Sequence, residues 1–187
     1  MRGFTTTMAR SFAWTSANNI IAFALLVPFA IGVAGPANPA ESQTPELAQI
    51  PEPVERAIIH GPLAKKYELA FSLNPSYLRG DFNADGKIDV AVLVKQRSTG
   101  KTGIAIIDGV TNMVTILGAG TAIGNGGDDF EWMDSWQVYS KERADHAASE
   151  TNIPHLRRDA LLVGKSEAAS ALIYWNGKRY VWLQQGD

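Results

Sequence analysis

Oxygen-bearing side chains occupy every second position of Asp81-Phe82-Asn83-Ala84-Asp85, a glycine follows at Gly86, and beyond Lys87-Ile88-Asp89 the chain enters Val90-Ala91-Val92-Leu93-Val94. That second run is unbroken, apolar and rich in β-branched residues, which is the composition of a buried strand. The first run is a tight loop with its oxygens alternating around a bend. A hard cation such as calcium takes about six to eight oxygens, and a loop meets that demand when positions one, three and five offer side-chain oxygens and position seven a backbone carbonyl. Here those positions are Asp81, Asn83, Asp85 and Lys87, with Asp89 able to reach back directly or through a water. Gly86 sits where the chain must bend with positive φ, at little cost to glycine. The same residues also suit an Asx-rich turn that needs no ion.

Two features separate this loop from an EF-hand, which requires a bidentate Glu at position twelve and a helix on either side. Position twelve is Val92, and a strand follows. The stretch from Gly80 to Val92 resembles instead the calcium-loop repeat of the FG-GAP/VCBS family, found in integrin-type β-propellers and in many secreted bacterial proteins. The resemblance implies a loop that joins two adjacent strands and binds calcium through its aspartates and asparagine. It covers about fifteen residues in a single copy, and one copy cannot build a propeller. Without a twelfth, bidentate ligand, the expected affinity is roughly micromolar to millimolar, as in extracellular modules.

The N-terminus reads as an export signal: Arg2 and Arg10 lie in a basic leader, and an apolar run from Ile20 to Ala34 is interrupted by Pro28 and Gly32. Small residues between Ala34 and Ala40 offer cleavage positions, and the run is too short and broken for a membrane span. An uncleaved anchor is the alternative. The chain contains no cysteine, so neither a disulfide nor lipid attachment through a lipobox cysteine is available to it. Of 17 Lys and Arg against 19 Asp and Glu, two arginines belong to the leader, which leaves a net charge of −4 on the exported part. That balance argues against nucleic acid as a partner.

Residues 41–53 carry Pro45, Pro51 and Pro53 and read as a flexible tether. A short helix is expected over 54–60, stopped by Gly61-Pro62. Short strands are expected near 67–73, 88–95, 103–108, 113–117, 136–139, 160–163, 171–175 and 179–183, with Asn176-Gly177 as the strongest hairpin signal. Residues 141–150 fit a short helix or an exposed loop. The fold class is therefore mainly β, an antiparallel arrangement of about seven or eight short strands with one or two short helices. Asp89-Val90-Ala91-Val92-Leu93-Val94 and Asp159-Ala160-Leu161-Leu162-Val163-Gly164 share an Asp ahead of an apolar strand. A duplication would give two blade-like sheets; coincidence between two buried strands is the alternative.

A second unusual stretch runs from Gly124 to Trp136 and combines Asp128, Asp129, Glu131 and Asp134 with Trp132 and Trp136. Paired carboxylates there could serve glycoside hydrolysis. Asp128, Asp129, Trp132, Asp134 and Trp136 could instead hold a glycan or protein partner. The plainest reading is a loop that closes the sheet with buried tryptophans. The glycines of 118–124 lack the following helix of a dinucleotide site, Gly100-Lys101-Thr102 lacks the earlier glycine of a phosphate loop, and no two of His60, His146 and His155 have zinc spacing. No Gly-x-Ser-x-Gly elbow supports a nucleophilic serine. These readings converge on an exported, periplasmic or extracellular β-domain that binds calcium and acts as a binding or structural module. The alternatives are a carbohydrate-active hydrolase and a soluble inhibitor or accessory subunit of an envelope protein.

Overall fold

A computed structural model describes residues 49–140, Ala144 and residues 154–186. The expected leader, most of the tether and nearly all of 141–150 lie outside the described residues. Among the described residues the first regular element is one helical turn, α1 (Glu52–Val54), which widens into a π-type turn, Glu55–Ile59. The described residues then form nine strands: β1 Tyr67–Leu69, β2 Tyr77–Gly80, β3 Asp89–Gln96, β4 Thr102–Ile107, β5 Val114–Gly118, β6 Ser135–Tyr139, β7 Ala160–Lys165, β8 Ala169–Trp175 and β9 Tyr180–Gly186. The mainly-β expectation holds, in two antiparallel sheets.

The first sheet has the order β1-β3-β4-β5, with β2 also paired to β3. Both short strands share one edge of β3. β2 covers its first half (Tyr77 opposite Val92, Gly80 opposite Asp89), and β1 its second (Leu69 opposite Val94, Tyr67 opposite Gln96). The second sheet is the meander β6-β7-β8-β9. Since β2-β3-β4-β5 is likewise a four-strand meander, the two sheets repeat one blade-like topology. Asp89 and Asp159 stand at the start of the second strand of each.

Alternation along the strands assigns the layers. Ala91 and Leu93 of β3, Ile104 and Ile106 of β4, Leu161 and Val163 of β7, and Ala171 and Ile173 of β8 share one buried core between the sheets. The opposite face of the first sheet, Val90, Val92, Val94, Ala105 and Ile107, packs under Ile50, Val54, Ala57 and Ile58. This explains the absence of polar alternation in 90–94: β3 is covered on both faces. Ala144 and Leu156 join the outer face of the second sheet through Leu172 and Leu183.

Three differences from the sequence expectations have physical causes. The tether ends earlier than Pro53, because Ile50 is buried in the helix-side core and Glu52 and Pro53 belong to the first helical turn. β1 ends at Leu69 because the β3 edge beyond it is occupied by β2. β2 itself was absent from the expected strands: only Tyr77 and Leu78 are strand formers, and Asn74-Pro75-Ser76 reads as a turn. Its ladder with β3 outweighs that weak propensity.

Candidate functional site

The loop 81–88 is the connection of the β2–β3 hairpin, so its two ends are pinned one opposite the other at Gly80 and Asp89. Within it the side-chain oxygens turn onto the loop's own amides. Asp81 accepts from Asp85 N–H and Gly86 N–H, both at 3.0 Å. Asn83 Oδ1 accepts from Asp85 N–H at 3.0 Å, and Asp85 Oδ1 from Lys87 N–H at 2.8 Å. The bend needs left-handed backbone at Gly86 (φ 83°), as the spacing predicts, and also at Ala84 (φ 62°), which costs about 1 kcal/mol for a residue with a β-carbon.

Asp89 anchors this loop from behind. It is fully buried, and its carboxylate accepts from three backbone amides: Phe82 at 3.0 Å, Asn83 at 3.2 Å and Gly109 at 2.9 Å. Burial pushes its carboxyl above the usual range, against the pull of those three amides. Phe82 points the other way, into the inter-sheet core, at 1% exposure. The second sheet contributes too: Asp159 accepts from Asp81 N–H at 2.9 Å, and Arg158 lies 3.5 Å from Asp81 Oδ2.

Asp108, just after β4, is the residue that sequence reading missed. Asn83 Nδ2 donates to Asp108 Oδ2 at 2.6 Å and to Asp85 Oδ2 at 3.2 Å, so the two carboxylates flank one amide. Burial raises the Asp108 carboxyl, but the amides of Thr111 and Val110 and the side chains of Thr111 and Asn83 hold it below the usual value overall. The one available signal was Asp108-Gly109, which reads as an ordinary turn.

As a donor set for a cation, the loop offers the carboxylates of Asp81 and Asp85, the amide oxygen of Asn83 and the main chain at exposed Lys87. Asp81, Asp85 and Asp89 each have both oxygens on hydrogen-bond donors, and of the three only Asp89 is fully buried, behind the loop. Among the described residues no three His, Cys, Asp or Glu side chains converge as a ready cage. An oxygen-only donor set of this kind matches the ligand preference of a hard cation rather than of zinc.

The acidic, tryptophan-bearing stretch is a closure over the sheets. Asp129 accepts from the amides of Thr102 (2.9 Å) and Glu131 (3.1 Å), Asp128 pairs with Lys101, and Asp134 binds Ser166 and lies 3.1 Å from Lys165. Trp136 lies in the core, with its indole N–H on the Pro75 carbonyl at 2.8 Å. Trp132 is half-buried and packs edge-on against Phe130 and Trp182 at about 6 Å. These contacts give the plain structural reading of the segment a physical basis.

Three of these aspartates make stability depend on acid. Asp108 and Asp129 are depressed by amide hydrogen bonds that outweigh burial, and Asp134 by the Ser166 amide and Lys165. A depressed carboxyl stabilises the fold above its unfolded pKa, and that contribution is lost as pH falls through the folded value. Asp89 acts in the opposite sense: its raised carboxyl favours the fold in acid, and the benefit fades as pH rises through the shifted value. Asp129→Asn should therefore remove one acid-sensitive contribution and make the melting temperature fall less, relative to the parent, on acidification below about pH 4 in a series of thermal melts.

Comparison with protein-family models, curated proteins and solved structures found no match. Among the described residues no helix is long and apolar enough to cross a membrane.

Proposed function

We propose that the domain binds calcium at the 81–89 loop and serves outside the cytoplasm, in the periplasm or beyond, as a binding or structural module. The observation that carries this reading is the loop itself: Asp81, Asn83 and Asp85 alternate on a hairpin connection whose ends are held in register by β2 and β3. Asp81, Asn83, Asp85 and the Lys87 carbonyl would hold the ion. Asp89 fixes the amides of Phe82 and Asn83, and with them the loop's shape. The ion's chemistry is electrostatic. Bound there, it would neutralise loop carboxylates and tie the exit of β2 to the start of β3, where a cysteine-free chain has no disulfide to do so. The resemblance to FG-GAP/VCBS loops and the leader-like N-terminus support the same reading.

A hydrolase built on residues 128–134 is less well supported, because Asp128, Asp129 and Asp134 are each engaged by a neighbouring amide or lysine. An accessory or inhibitory role for the module is compatible with the calcium reading and adds no residue to it.

Titration calorimetry with calcium tests the proposal. Asp85→Ala, which removes an exposed carboxylate, should weaken calcium about tenfold or more, equivalent to about 1.4 kcal/mol, while the calcium-free protein melts close to the parent. Equal calcium binding by parent and variant would refute the assignment.

A further inference from the structure

The inward-facing residues of four strands change character together at the end of the sandwich nearest the loop. Along β4 and beyond they run Ile104, Ile106, Asp108; along β5, from the core outward, Leu117, Thr115, Met113; along β8, Ala171, Ile173, Trp175; and along β9, outward, Trp182 then Tyr180. Apolar core gives way on one wall to a carboxylate and on the other to two aromatic rings. Between these walls the sheets enclose a cleft of about 360 Å³, lined also by Asn83 and Asp85. That volume suits a small molecule, at the lower end of ordinary ligand sites.

Two observations specify the chemistry. Trp175 and Tyr180 lie opposite each other across the β8–β9 ladder, edge to face at 5.1 Å, and both remain partly exposed rather than sealed into the core. On the other wall, Asp108 has no Lys or Arg counter-ion among the described residues, unlike Asp128 with Lys101 or Asp134 with Lys165. Aromatic faces attract cations through the ring quadrupole, and a carboxylate lining the same cleft, hydrogen-bonded but without an ion-pair partner, adds to that attraction. A neutral sugar could stack on the rings and donate hydroxyls to the carboxylate, but it would lack the cation's attraction to both the ring faces and the net negative charge.

The geometry points to this cleft as a binding site for a small organic cation, an alkylammonium group held between the Asp108 carboxylate and the Trp175–Tyr180 pair. The site goes beyond the calcium loop and does not require it, although Asp85 borders both.

Butylammonium is the probe, titrated into the full chain by calorimetry and by following the Trp175 indole N–H resonance, assigned through its loss in Trp175→Phe. Neutral 1-butanol and a neutral disaccharide serve as controls, and each titration is run with calcium and with chelator. Saturable binding of the amine alone is expected, weakened about tenfold in Asp108→Asn. Thr115→Lys, at an exposed inward-facing position, should place a cation in the cleft and abolish binding without lowering the melting temperature. The proposal is overturned if butanol binds equally well, if the sugar binds in place of the amine, if Thr115→Lys binds like the parent, or if no titration saturates. Amine binding that disappears on adding calcium would locate the amine in the loop and would also overturn the separate cleft.

Discussion

Replacing Asp89 by Ala should lower the unfolding free energy by about 2–4 kcal/mol, since it strands one buried and two part-buried amide donors, a fully buried one alone being worth about 1–3 kcal/mol. Those donors belong to Phe82, Asn83 and Gly109, on two separate loops. The loss should lie below the simple sum because the carboxylate is itself costly to bury, as its raised carboxyl pKa indicates. Asp89→Asn keeps one acceptor but turns an NH2 toward an amide donor, so it should fall between parent and Ala. Urea unfolding in the presence of chelator measures the effect with no contribution from calcium. A change below about 1 kcal/mol would show that water replaces the carboxylate and that Asp89 does not hold the loop.

Phe82→Ala should be comparably damaging, at about 3–5 kcal/mol, the usual range for emptying a fully buried phenylalanine site. Phe82 occupies the second position of the oxygen-rich loop, yet its ring sits in the inter-sheet core with Leu78, Ala91 and Leu161. The site around it is confined: a β-carbon on Gly80 would come within 2.8 Å of the Phe82 ring. Loop and core are therefore one cooperative unit, and loss of the ring should loosen the loop as well. Phe82→Leu, which restores most of the volume, should recover all but about 1.5 kcal/mol. Full stability of Phe82→Ala in urea would mean that the loop is an independent appendage.

How legible these features were depended on whether they were local. The 81–89 loop, the positive φ at Gly86 and the Asn176-Gly177 hairpin were readable because side-chain spacing and turn chemistry act within a few residues. β3 was readable as buried, but its helix-side cover was not, because Ile50, Val54 and Ile58 show their role only once packed on Val90, Val92 and Val94. β2 escaped because its strand character comes from its partner. Asp108 escaped for a similar reason: its 2.6 Å contact with Asn83 spans 25 positions, and no spacing rule reaches that far. Trp136 read as either core or partner contact, with core the plainer reading, and its burial against Pro75 is the tertiary fact that bears this out.

The central claim, a calcium loop that locks the β2–β3 hairpin, is tested most directly by thermal melts of the protein across a calcium titration, with magnesium and chelator as controls. A ligand that binds only the folded state raises its stability by mass action, about 2.7 kcal/mol at a hundredfold excess over Kd. The account predicts a calcium-specific rise in Tm that magnesium does not reproduce and chelator reverses. A melting temperature indifferent to calcium at millimolar concentration would contradict it and leave the loop as a self-satisfied Asx turn.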